Sequence, residues 1–193
     1  MDYQDHLKIV EKMLSKGEIL CQLSEEAVEL ADAITGYKHR QDGRNYESIL
    51  SSAFMGEPTE WKGVLEEAAD VSLVIVGVLD MIYDENERKI HKNIMDTMEV
   101  VVKSLPEKEK IKSMQKLCHE IAKAALKLRR AMGTENPTPV TEEDAKKKLL
   151  CHLSVIKVLF EEKFTDAEKY EMKNTREKKA ERWSKRLRGE ANV

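Results

Sequence analysis

Glycine and proline are so sparse in this chain, and so confined to a few places, that long uninterrupted helices are the natural outcome. The 8 Gly and 4 Pro leave wide gaps, and between Pro139 and Gly189 neither residue occurs. The intervening stretches are rich in Ala, Leu, Glu and Lys, which lose little side-chain freedom on entering a helix. The expected fold class is therefore all-α, a helical bundle.

The same punctuation predicts the elements. A first helix runs from about Asp5 to Ser15 and is interrupted by Gly17. A second runs from about Glu18 to Thr35, with Leu20, Leu23, Ala27, Leu30 and Ile34 at helical spacing on one face, and Gly36 ends it. Residues 36–57 form a long connection with a short helix over Tyr46 to Phe54, and connections of this length usually serve a function. Pro58 suits the first turn of a third helix, from about Thr59 to Tyr83. That helix is apolar nearly all round from Val71 to Leu79, which predicts a central, buried position. A fourth helix, about Glu85 to Ser104, stops near Pro106.

The remainder repeats this plan. A helix from about Glu107 to Met132 ends at Gly133, and the loop GTENPTP follows. Thr141 with Asp144 resembles a capping box and opens a helix to about Glu162. Asp166 begins a charged final helix ending near Leu187. LSEEAVEL corresponds to LCHEIAKA, DVSLVIV to HLSVIKV, and Lys92-Asn93 to Lys173-Asn174. These matches point to a degenerate tandem duplication, with residues 1–105 as one half and residues 106–193 as the other, packed as one globular unit.

The first half carries the chemistry. Glu25-Glu26-Ala27-Val28-Glu29 lies on the second helix and Glu66-Glu67-Ala68-Ala69-Asp70 on the third. Residues three apart share a helical face, so Glu26 pairs with Glu29 and Glu67 with Asp70. If the helices pack side by side, four carboxylates converge, and their repulsion and lost hydration call for a cation. Magnesium suits oxygen ligands and keeps waters that a phosphate can displace. Glu67 and Asp70 are continuous with the most buried helix, an odd place for acids that need only solvent.

Other classes lose ground. With 36 acidic against 33 basic residues, a formal charge of -3 and 5% aromatics, the electrostatic case for nucleic-acid binding is missing. The basic end KNTREKKAERWSKRLRGE is expected to be the exposed face of the last helix. Cys21, Cys118 and Cys151 form no CxxC pair, which argues against a disulfide framework or thiolate zinc site and for a reducing compartment. The apolar run Val71 to Leu79 is too short for a membrane span and meets Asp80. The N-terminus has no signal-like apolar region, so a cytoplasmic protein is expected. A ferritin-like diiron site needs Glu three residues before His, and none of His6, His39, His91, His119 and His152 has one.

The phrases SEEAVELADAI and LEEAADVSLVIVGVL resemble the two acidic helices of the all-α nucleoside triphosphate pyrophosphohydrolases, the group of MazG-like enzymes, dimeric dUTPases and phosphoribosyl-ATP pyrophosphohydrolases. The likeness covers about residues 18 to 95. It implies that Glu26, Glu29, Glu67 and Asp70 bind Mg2+, with Mn2+ as a substitute, and that the metal holds a nucleoside triphosphate. Water attack at the α-phosphorus would then release pyrophosphate and a nucleoside monophosphate. Glu25 or Glu66 would act as the base or support the ligands; the sequence does not choose.

Residues 30–66 separate the acidic pairs more widely than in compact members of that group. In the second half Glu120 matches Glu26, but Lys123, Leu149 and His152 stand at the other three positions. One active centre per chain is expected, with the second half completing an intramolecular pseudo-dimer; pairing of chains into a homodimer stays open. Lys89, Lys92, Lys173 and Arg176 lie where the group keeps phosphate-facing side chains, or else form a solvated face. Tyr37, Lys38, His39, Arg40 and Arg44 would close over phosphates or base, or keep the connection soluble. Trp61 would stack on a base or pack. The rival reading is a non-enzymatic helical adaptor whose acidic helices face solvent or a basic partner.

Overall fold

Several helix starts are fixed by side chains that satisfy otherwise free amides. Asp2 with Asp5, Asp84 with Glu87 and Thr165 with Glu168 form reciprocal capping boxes, each stabilising its helix by roughly 1 kcal/mol. Thr141 accepts from the Asp144 amide, while its hydroxyl donates to the Asp144 carboxylate at 2.7 Å. The computed structural model describes residues 2–41, 61–133 and 139–190, and among these there are seven helices and no strand. They are α1 (Tyr3–Met13), α2 (Lys16–Gln41), α3 (Trp61–Ile82), α4 (Glu85–Lys103), α5 (Glu107–Met132), α6 (Glu142–Lys163) and α7 (Asp166–Leu187).

Two glycines do not break helices as expected. Gly17 lies inside the first turn of α2, where the Ser15 amide donates to Glu18 and the Glu18 amide to the Ser15 hydroxyl. Gly36 is passed over, and α2 continues to Gln41. A helical glycine costs about 1 kcal/mol, which tertiary contacts offset here. Gln115 on α5 donates to Thr35 at 2.5 Å and accepts from Lys38 at 2.9 Å, and Tyr37 packs on Trp61. The helix expected over Tyr46 to Phe54 lies outside the described residues, as do Pro58 and Thr59.

The core gathers the apolar faces of these helices. Ile19, Leu20, Leu23, Leu30 and Ile34 of α2 are fully buried, as are Ile75 of α3, Ile121 and Leu128 of α5, and Leu149, Leu153 and Ile156 of α6. Each side chain of this kind contributes about 1.5–3 kcal/mol when buried. As expected from its all-round apolar run, α3 is central and touches α1, α2, α6 and α7.

Helix neighbours cross between the halves. α2 packs on α3 and on α5, and α5 packs on α6, while α4 lies against α6 and α7 against α3. His91 of α4 meets the Ser154 hydroxyl of α6 at 2.7 Å, and Lys146 of α6 pairs with Glu87 at 2.9 Å. His6 of α1 meets Ser184 of α7 at 2.6 Å. α7 is held on α3 by a small cluster of Leu7, Leu73 and Ala180. No helix among the described residues is long and apolar enough to cross a membrane. All three cysteines are free thiols.

Candidate metal centre

The register of α2 against α3 decides which side chains meet. Ile19 Cδ1 lies 3.2 Å from where a Cβ on Gly77 would be, and at the far end the Tyr37 and Trp61 rings are 4.8 Å apart. The two helices therefore run antiparallel. Two helical turns, about seven residues, lead forward from Ile19 to Glu26 and back from Gly77 to Asp70. Carboxylate oxygens of Glu26, Glu67 and Asp70 accordingly lie within 4.8 Å of one another. Glu29, one turn on from Glu26, is exposed and outside this triad, yet lines the same cavity.

Burial and mutual repulsion shape the cluster. Burial raises the pKa of Glu26; Glu29 and Glu25 push it the same way, opposed by Lys179 and by a 2.6 Å hydrogen bond from Gln22. Burial also raises Glu67, opposed by Lys179 and reinforced by Glu29, Glu26 and Glu66. Glu67 Oε2 is shut off from solvent and has no hydrogen-bond partner. Asp70 is buried and pairs with the Lys179 ammonium of α7. Three hard oxygen donors in a tight group, one of them orphaned, match what a small divalent cation requires. On donor chemistry the residues fit Mg2+ or Mn2+, and oxygens as much as 4.8 Å apart must draw in to share one ion.

A cavity of about 340 Å³ opens on the cluster. α2 lines it with Gln22, Glu26 and Glu29, and α3 with Glu67, Asp70, Leu73 and Val74. α7 contributes Lys179, Arg182, Trp183 and Arg186. Anionic and cationic walls thus face one space, which can hold a cation and an anion side by side.

The remaining candidate residues are placed as follows. Glu25 and Glu66 are exposed and do not line the cavity, though their charges act on Glu26 and Glu67. Lys89 pairs with Glu85 at 2.9 Å, Lys92 is exposed on α4, and Lys173 lies 4.0 Å from Glu177. Arg176 sits over the Tyr3 ring, 5.4 Å from its centre. Lys38 is engaged by Gln115. The side chains of His39 and Arg40, and the whole of Arg44, lie outside the described residues. Trp61 packs between Tyr37 and Phe164, and its indole N–H donates to Glu168.

The last helix departs most from expectation. Arg182 and Arg186 of its basic run are exposed, as expected, yet Ala180 and Ser184 are fully buried and Lys179 reaches Asp70. The available signal was spacing: Lys179, Arg182, Trp183 and Arg186 recur at three, four and seven residues, flanking small residues that let α7 approach α3. In the second half, Glu120 pairs with Lys123 at 3.2 Å, its carboxyl held low by that partner, and Leu149 is fully buried. His152 is pushed down by burial and by Lys148, against the pull of Glu120.

Comparison with known proteins finds no matching family model, no matching curated protein and no matching solved structure.

Proposed function

We propose that the chain is a magnesium-dependent nucleoside triphosphate pyrophosphohydrolase of the MazG-like kind, cleaving the α–β phosphate bond to give a nucleoside monophosphate and pyrophosphate. The observation that carries this reading is the convergence of Glu26, Glu67 and Asp70 from two core helices in a cavity whose other wall is basic. Such a pairing of charges fits a cation and a polyanion together, and gives the acidic helices of a mere adaptor no evident purpose.

In this reading Glu26, Glu67 and Asp70 hold the ion. A magnesium ion held by these oxygens would supply positive charge against the phosphates and would lower the pKa of the attacking water. Glu29, exposed at the cavity lining, completes the acidic set and is free to take the proton that water loses. Glu25 and Glu66 act through charge, keeping their neighbours basic enough to bind a cation. Arg182 and Arg186 face the phosphates, and Trp183 offers an aromatic surface to the nucleoside.

The exchange of last helices, α4 onto α6 and α7 onto α3, supports a degenerate duplication forming a pseudo-dimer. So does the mutual influence of Glu120 and His152, which stand at the positions matching Glu26 and Asp70. The second half lacks a carboxylate set and serves by supplying α7.

A panel of canonical, deoxy, damaged and modified nucleoside triphosphates with Mg2+, read for pyrophosphate and monophosphate, tests the assignment. Turnover of at least one substrate is expected, falling about a hundredfold or more in Glu67→Gln. Absence of turnover across the panel, or Glu67→Gln retaining wild-type rates, would show the assignment to be wrong.

A further inference from the structure

We propose that Lys179 is a tethered counter-cation that competes with the divalent ion for Asp70 and, once displaced, turns to the anion the ion carries. This rests on the metal-site reading above and adds a positioning residue from the second half of the chain.

Asp70 is the most buried member of the acidic triad, and its carboxylate is paired with the Lys179 ammonium. A divalent cation held by Glu26, Glu67 and Asp70 needs an oxygen of that same carboxylate. It would then stand within about 4 Å of the ammonium, where two positive charges repel strongly. The two cations therefore exclude each other at Asp70.

The anchoring of α7 lets the ammonium move while the helix stays. Ala180 is fully buried against Leu7 and Leu73, and Ser184 is fixed by His6 at 2.6 Å. The Lys179 side chain is 25% exposed, and four flexible carbons carry its charge. Arg182 and Arg186 lie on the same face of α7 and line the same cavity. An ammonium that leaves Asp70 has the cavity before it, where a polyphosphate provides the replacement partner. Metal alone thus binds against Lys179, whereas metal with polyphosphate binds with its help.

The test compares wild type with Lys179→Met and Lys179→Gln, using Mn2+ as the probe and electron paramagnetic resonance to count free ion. Both variants are expected to bind Mn2+ alone about fivefold or more tightly than wild type. With Mn2+ saturating, both are expected to bind inorganic tripolyphosphate about tenfold less tightly. Circular dichroism and melting in chelator establish that each variant is folded. A merely structural role for Lys179 would weaken Mn2+ binding, so the sign decides. Equal or weaker Mn2+ binding in both variants overturns the role given to Lys179 and leaves the metal site standing. No Mn2+ binding by any of the three proteins overturns the role and the metal-site reading together.

Discussion

Ile19 of α2 packs on Gly77 of α3, with Ile19 Cδ1 3.2 Å from the place a Cβ on Gly77 would take. That contact holds the two helices in the register that brings Glu26 to Asp70. A methyl group at Gly77 meets only the end of a flexible side chain and gains helix propensity, so Gly77→Ala should stay within about 1 kcal/mol of wild type. Gly77→Val must displace Ile19 and is expected to cost about 1–3 kcal/mol by denaturant unfolding. It should also weaken Mn2+ binding, because the acidic pairs sit two turns away on the same helix pair.

Acid sensitivity should have an identifiable source in His91. Ser154 donates its hydroxyl to the Leu150 carbonyl at 2.8 Å, so its oxygen accepts from His91 Nδ1, and His91 Nε2 is left buried without a partner. Burial, helped by Lys157, lowers the His91 pKa to about 4. The unfolded chain takes up this proton near pH 6.5, so between about pH 6.5 and 4 unfolding binds a proton and stability falls as pH is lowered. His91 should account for a loss on the order of 2 kcal/mol over that window, with its contribution intact above it. Urea unfolding at a series of pH values should show a shallower acid slope in His91→Gln; an unchanged slope would contradict this.

Trp61 should matter for stability and not for the site. Its ring packs on Tyr37 and Phe164, with the Lys163 ammonium 4.8 Å from its centre. Trp61→Ala is expected to cost about 3 kcal/mol, as for other large aromatic truncations. Mn2+ affinity should change by less than about twofold, since Trp61 does not line the cavity and its truncation, unlike a larger side chain at Gly77, does not push α2 from α3. A large loss of nucleotide binding in a still-folded Trp61→Ala protein would instead favour base stacking.

The helix bodies and the acidic pairs were legible in the sequence because both are local. Breakers, caps and the i,i+3 spacing of Glu26 with Glu29 and Glu67 with Asp70 need only helical geometry. The course of α2 through Gly36 was not legible, since Gln115 and Trp61, far along the chain, hold its last turns. Nor was the pairing of Lys179 with Asp70. Charge alone made the last helix look solvated, and the deciding residues, Ala180 and Ser184, are small and carry little hydrophobic signal. What they provide is closeness to α1 and α3, Ser184 meeting His6 and Ala180 meeting Leu7 and Leu73, which only the packing reveals.

The proposal that Glu26, Glu67 and Asp70 hold one divalent cation between them can be settled by anomalous diffraction from crystals grown with Mn2+. A single strong peak is expected at metal–oxygen distances of about 2.1–2.2 Å from all three carboxylates, and it should vanish in Glu67→Gln. A peak elsewhere, or none, with Glu26 turned away from Glu67 and Asp70 across open solvent, would contradict it.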